Sequence, residues 1–412
     1  MSEFNAFSLL DAIIERVHLK GYQQPTPIQK ACIPALIKGG DLLGIAQTGT
    51  GKTAAFSLPI INNFGRNKID VPTKSTRSLI LTPTRELASQ IMQNIDDYAE
   101  GLALNTKVVY GGVGRQPQVD AIAQGLDILV ATPGRLLDLI EAGDIDFKAL
   151  EVFVLDEADT MLDMGFFKDV QHIIAKLPKK RQTLLFSATM PAEIEVLAQA
   201  ILTEPTKVEI AAQAVTADLV NQTVYQLEKS NKVPALFTIL ANPEHDKVLI
   251  FCKTKYGADI IVDALEKASI SAASLHSGKT QAVREQALQN FKSSSLRVLV
   301  ATDVAARGID VDNISLVINY NLPEDPRNYI HRIGRTARAG KSGMAISFAV
   351  QNDVRQLTTI ENSIGQVIPV ATEQPFHKEF SKTPVQTKKN KQGKKPNQKG
   401  NKKTTNSRKK RR

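Results

Sequence analysis

AQTGTGKT (46–53) follows the apolar run DLLGIA (41–46), and its reading decides how the rest of the chain is understood. Gly49 and Gly51 let backbone N–H groups come close to the oxygens of a polyphosphate, Lys52 brings a positive charge, and the Thr53 hydroxyl suits Mg²⁺. Ala46 stands where the strict pattern has Gly. A second motif, DEAD (156–159), closes another apolar run. There Asp156 is suited to holding a hydrated metal and Glu157 to taking a proton from water. Phosphate loop and paired carboxylates together point to nucleoside triphosphate hydrolysis.

Working outward, short apolar runs recur, each followed by polar or glycine-containing residues and a longer helical pattern. The first series is DLLGIA (41–46), SLILT (78–82), DILVAT (127–132), EVFVLDE (151–157) and TLLFSAT (183–189). The second is KVLIFC (247–252), LRVLVATD (296–303), SLVINY (315–320) and MAISFAV (344–350). Continuous rather than alternating hydrophobicity predicts strands buried on both faces, as in parallel α/β sheets. Ligands bind such sheets beyond the carboxyl ends of the strands, where nearly every chemically suggestive residue falls. Small polar residues at 210–222 separate the series and predict a linker. The expected limits are a first domain at 1–211, a linker at 212–218, a second domain at 219–370 and a basic tail at 371–412.

The net charge of +10 is unevenly spread. Residues 381–412 hold 14 of the 52 lysines and arginines and none of the 42 acidic residues, which leaves the remainder near −4. This tail is too poor in apolar residues to bury a core, which predicts disorder and an electrostatic attraction to nucleic acid. No apolar run approaches the roughly 20 residues that span a bilayer, so no membrane partner is expected. The early face Leu9, Leu10, Ile13, Ile14 and Val17 reads as core packing. Cys32 and Cys252 are too few for a disulfide framework and read as small buried hydrophobes in a reducing cytoplasm.

The phosphate loop and DEAD stand within an ordered set. Phe4 and GYQQPTPIQ (21–29) precede them; PTREL (83–87), GG (111–112), TPGR (132–135), SAT (187–189), ARGID (306–310) and HRIGRTAR (331–338) complete it. This set closely resembles the DEAD-box RNA helicases over residues 4–350, and within them the short-tailed bacterial RhlE group. The resemblance implies two tandem RecA-like domains with parallel sheets, ATP and Mg²⁺ as cofactors, and RNA as partner.

Roles follow position by position. Gln29, with Tyr22 and a stacking Phe4, would read adenine, since an amide both donates and accepts. The loop amides from Thr48 through Gly49, Thr50, Gly51 and Lys52 to Thr53 would hold the phosphates. Asp156 and Thr53 would hold Mg²⁺, largely through water, and Glu157 would deprotonate the attacking water. Arg335 and Arg338, three apart on an expected helix, would stabilise charge on the transferring phosphoryl group. Asp310 would accept from a ribose hydroxyl. Ser187, Thr189 and His331 would couple the carboxylates to interdomain contacts. RNA contacts would come from Arg85, Gly111, Gly112, Thr132 and Arg135 in domain one. Domain two would add Lys253, Thr254, Gln281, Arg284, Thr302 and Arg307. These are mostly backbone contacts, with little base specificity.

The implied activity is ATP-dependent local unwinding of short RNA duplexes and remodelling of ribonucleoproteins. An ATP-gated RNA clamp with little unwinding, or a DNA-directed helicase, would use many of the same parts. Three departures from the family pattern bear on it: Thr160 after DEAD, Ser277 after His276, and Ala337 within HRIGRTAR.

Overall fold

The computed structural model describes residues 3–47, 49–210, 220–306, 311, 314–336 and 343–380. Thr48, Arg307, Asp310, Ala337, Arg338, the linker 212–218 and the basic residues 381–412 lie outside them.

The first sheet comprises β1 (Leu42–Ile45), β2 (Thr76–Leu81), β3 (Thr106–Val109), β4 (Leu126–Ala131), β5 (Val152–Leu155), β6 (Gln182–Ser187) and β7 (Thr206–Glu209) in the order β3-β4-β2-β5-β6-β1-β7. The second comprises β8 (Val220–Gln226), β9 (Val248–Phe251), β10 (Ala272–Leu275), β11 (Val298–Ala301), β12 (Leu316–Asn319) and β13 (Gly343–Ala349) in the order β10-β11-β9-β12-β13-β8. Pairings between these strands are parallel. All nine apolar runs form strands. β2, β4 and β5 are buried along their whole length, as are β9, β11 and β12. A strand sealed on both faces needs helices above and below it, and each sheet has an apolar cluster on either face.

The early apolar face also packs inward. Ile13 and Val17 on the helix Asp11–Leu19 are fully buried, and Leu10 and Ile14 pack against the same core. Both cysteines are buried; burial pushes the Cys32 thiol up to about 12 and raises that of Cys252. No described helix is long and apolar enough to cross a membrane.

Residues 371–380, expected within the tail, belong instead to the second domain. After the helix Val354–Ile364 the chain runs along the free side of β8. Val224 N–H donates to Pro369 O at 2.8 Å, Ala371 N–H to Val224 O at 2.9 Å, and Lys378 N–H to Gln226 O at 2.9 Å. Phe376 and Phe380 pack onto the two clusters of the second sheet. Two aromatic anchors and these backbone bonds hold a stretch whose polar composition hides them.

Candidate active site

Beyond β1 the chain turns through Gly49 (φ +84°) and Gly51 (φ +93°) into the helix Lys52–Arg66. Both values lie in the left-handed region that glycine alone enters freely. The turn aims the unpaired N–H groups of the first helical turn at one point, where a polyphosphate is favoured by donors and dipole together. Lys52 is buried, and its ammonium donates to the Ala46 carbonyl at 3.0 Å. Thr53 sits one residue on, half-buried, and Thr50 Oγ1 donates to Gln47 O at 2.8 Å.

Gln29 lies against this loop. Its Oε1 accepts from Thr26 N–H at 2.9 Å and its Nε2 donates to Gly51 O at 3.2 Å. A Cβ on Gly51 would come within 2.5 Å of that Nε2. The amide is thus bonded to the phosphate loop itself. Tyr22 is partly exposed, its hydroxyl 3.5 Å from that of Tyr98. Phe4 differs from expectation: its ring has no exposed surface and meets Phe7 edge-on at 5.9 Å. Apolar burial of the 3₁₀ turn Glu3–Phe7 takes the ring that would otherwise stack on a base.

Asp156 and Glu157 follow β5 and are nearly inaccessible, at 2% and 5% exposure. Desolvation raises the proton affinity of both, opposed by the charge of Lys52 and, at Glu157, also by Arg335 from the second domain. Glu157 is held at φ +53°, ψ +51°, a conformation that costs a residue with a Cβ roughly 1–2 kcal/mol. The next carboxylate, Asp159, accepts from both the backbone N–H and the hydroxyl of Thr189 at 2.8 Å, and its own N–H donates to Ser187 Oγ at 3.3 Å. Ser187 Oγ donates in turn to Thr189 O at 2.7 Å. The ends of β5 and β6 are thus tied together. Thr160, half-buried beside them, carries no charge into this network.

From the second domain, the helix Pro326–Ile333 ends at Gly334, so Arg335 lies in a turn and not on the expected helix. Thr336 Oγ1 donates to Ile314 O at 2.6 Å. Arg335 is 8% exposed and donates from Nε to the carbonyl of His331 at 3.3 Å.

The residues expected to meet RNA divide into two sets. Arg85 lies over Gly112, where a Cβ would come 2.0 Å from its Nη1, and beside Gly111 at 3.5 Å. Gly112 also has φ +81°, the left-handed region that favours glycine, whereas the Arg85 guanidinium could swing aside from a Cβ. Thr132 is the N-cap of the helix Pro133–Glu141. Arg135 Nη2 donates to Val113 O at 3.2 Å, while its Nε and Nη1 are buried with no hydrogen-bond partner. Lys253 pairs with Glu324 at 2.6 Å, Thr254 caps the helix Lys255–Lys267, and Thr302 opens the turn Asp303–Ala306. Ser277 has no positive φ, so its side chain imposes no backbone strain.

Gln281 and Arg284 are placed otherwise. Both are buried and face domain one: Arg284 pairs with Glu86 at 2.8 Å, and Gln281 Nε2 lies 3.4 Å from the same carboxylate. Tyr110 donates to Glu285 at 3.3 Å, and Arg327 lies 3.5 Å from Asp163. The cleft is closed by contacts between side chains of the two domains.

Residues 26–197 match the DEAD/DEAH box helicase family and residues 228–340 the helicase conserved C-terminal domain. The helicase CshA of Limosilactobacillus reuteri is 40% identical over 87% of this chain and 71% of its own. This chain belongs to the DEAD-box ATP-dependent RNA helicase family. DeaD of Buchnera aphidicola (Schizaphis graminum) is 43% identical over 89% of this chain, which spans only 60% of DeaD. Saccharomyces cerevisiae Dbp5 bound to RNA and ADP BeF3 superposes with a TM-score of 0.76 at 28% identity, covering 90% of this chain and 96% of Dbp5. The two domains are RecA-like.

Three residues of this DEAD-box site escaped the sequence reading. Glu86 sits inside PTREL, and Asp159 is the last letter of DEAD; each was overshadowed by its neighbour. Arg332, inside HRIGRTAR, is 3% exposed, grips Asp303 through two bonds of 2.6 and 2.7 Å, and holds Asn319 and Asn321. The cross-cleft pair yields a prediction. Arg284→Ala leaves Glu86 without its counter-charge in the closed form, a loss of about 3 kcal/mol. Small-angle scattering should then report an expanded molecule with unchanged secondary structure. A scattering profile identical to the wild type would show that the pair does not hold the cleft.

Proposed function

We propose that this chain is an RNA-stimulated ATPase that separates short RNA duplexes locally and remodels ribonucleoproteins. The observation that carries it is the meeting of Asp156 and Glu157 from one domain with the charge of Arg335 from the other. The donor set fits magnesium–ATP: a glycine-shaped helix N-terminus with a buried lysine faces two desolvated carboxylates. Among the described residues no three His, Cys, Asp or Glu side chains gather for a metal, which agrees with an ion held mostly by phosphates and water. When bound, magnesium–ATP supplies the γ-phosphoryl group and the cation that offsets its charge.

In this reading Lys52 and the loop amides, Thr48 among them, bind the phosphates, while Thr53 and Asp156 orient the cation. Glu157 holds the attacking water and accepts its proton; its raised proton affinity suits it as a base. Gln29 exchanges its Gly51 bond for the adenine edge, with Tyr22 beside it and Phe4 supporting from the core. Arg335, with Arg338, stabilises charge on the phosphoryl group, Asp310 accepts from the ribose, and His331 supports Arg335 through its carbonyl. Hydrolysis then requires a closed cleft. The SAT bonds of Ser187 and Thr189 relay the state of the carboxylates to that cleft.

RNA is taken along the open edge of the cleft by Arg85, Gly111, Gly112, Thr132, Arg135, Lys253, Thr254, Thr302 and Arg307. The buried Nη1 of Arg135, which has no hydrogen-bond partner, supports an anion there, while its Nε lies 3.9 Å from the Asp138 carboxylate. Gln281 and Arg284 serve by holding the two halves of this surface together. The proposed domain limits are 1–211, 212–218 and 219–370, adjusted so that the second domain extends to 380. The RhlE placement rests on general similarity of sequence, and a cytoplasmic site on the bacterial relatives.

Steady-state ATPase with Mg²⁺, alone and with matched single-stranded RNA or DNA, tests the reading. Stimulation by RNA alone is expected. Equal stimulation by DNA points to a general nucleic-acid motor, and none by either refutes RNA dependence. Glu157→Gln should retain ATP and RNA binding while turnover falls at least 100-fold, in line with removal of a general base; turnover near wild type would exclude Glu157 as that base. Removing residues 381–412 should flatten the dependence of RNA affinity on salt by about 0.7 in log–log slope per lost phosphate contact. An unchanged slope would leave the extension without a part in RNA binding.

A further inference from the structure

One carboxylate in domain two gathers three hydrogen bonds away from the nucleotide. Asp259 lies one turn into the helix Lys255–Lys267, and its Oδ1 accepts from Ser274 Oγ at 2.6 Å, His276 Nε2 at 3.0 Å and Lys279 Nζ at 3.0 Å. His276 is 2% exposed, and its Nδ1 accepts from Gly278 N–H at 3.1 Å. Because Nδ1 accepts, the ring proton sits on Nε2 and points at Asp259. Desolvation works to raise the Asp259 carboxyl, yet the bonds from His276, Ser274 and Lys279 hold it well below the usual carboxylate range.

These bonds join two parts of the proposed RNA surface. The helix Lys255–Lys267 begins at Thr254, beside Lys253. The turn 276–279 leads to Thr280, whose hydroxyl caps the helix Gln281–Lys292 by accepting from Val283 N–H at 3.4 Å. The first turn of that helix carries Gln281 and Arg284 to Glu86 in domain one. The turn is closely packed: a Cβ on Gly278 would lie 3.1 Å from His276 Nδ1, close enough to make that ring give by a few tenths of an ångström.

We propose that Asp259, acting through His276 and Lys279, is a positioning residue that sets the Lys253–Thr254 surface in register with the Gln281–Arg284 contacts that close the cleft. The carboxylate touches neither nucleotide nor RNA; it fixes the distance between the helix start that receives a backbone phosphate and the helix that latches onto domain one. Seating RNA and closing the cleft then become one rigid event. The proposal rests on the RNA-stimulated ATPase reading.

The test is ATPase of the full chain against a titration of single-stranded RNA, for wild type, Asp259→Ala and Asp259→Asn, with thermal midpoints. Asp259→Ala is expected to raise the RNA concentration for half-maximal stimulation on the order of ten-fold, the scale of lost charge-assisted hydrogen bonds. KM for ATP should stay within about two-fold, since the nucleotide contacts lie elsewhere. Asp259→Asn keeps an oxygen for Ser274 and His276 but loses the charge facing Lys279, and should recover part of the affinity. An unchanged RNA requirement in both variants overturns the proposal. So does a fall in RNA-independent turnover that follows a lowered thermal midpoint in Asp259→Asn, which would mark a merely structural role. A wild-type enzyme that RNA does not stimulate would instead overturn the functional reading beneath it.

Discussion

Two carboxylates shut away from water side by side constrain the whole molecule. Asp156 and Glu157 repel one another and are poorly solvated, so their ionised forms depend on positive charge brought close. Lys52 supplies it from the same domain and Arg335 from the other. The site is consequently complete only when two independently built sheets face each other at one distance. Much that surrounds it serves that distance: the Glu86–Arg284 pair, Tyr110 with Glu285, and Arg327 with Asp163 all cross the same gap.

The apolar strands were legible because most of them are buried along all or nearly all of their length, so their hydrophobicity does not alternate; β1, which alternates between buried and half-buried positions, is the exception. β3, β7, β8 and β10 were missed for the complementary reason. These four are the outermost strands of the two sheets. β7, for example, presents only Val208 to the core while Thr206, Lys207 and Glu209 face water. A criterion based on double-sided burial finds the middle of a sheet and passes over its rims.

The site divides in the same way. Residues whose chemistry is intrinsic were singled out from sequence, a lysine among glycines and adjacent carboxylates, with the arginine of HRIGRTAR added by the family resemblance. Residues whose role depends on a distant partner were not. Nothing local to PTREL says that Glu86 will meet a side chain 198 positions later in Arg284, and the guanidinium of Arg284 looks in isolation like a phosphate ligand. Phe4 was misjudged similarly, since an aromatic near an adenine-reading amide is equally an aromatic near a core. Gly334 stood in plain view within HRIGRTAR, but its helix-ending effect yields to the periodic spacing of the arginines unless the turn itself is seen.

The ribbon 369–378 along β8 has a consequence for handling the molecule. A parallel sheet that ended at β8 would offer a row of unpaired amides and carbonyls to any extended chain that drifted past. The ribbon acts as a selvage, finishing the fabric with a short, mostly polar hem pinned by Phe376. The basic extension begins, in sequence, just beyond that hem. A cut made even a dozen residues before it would leave a raw edge.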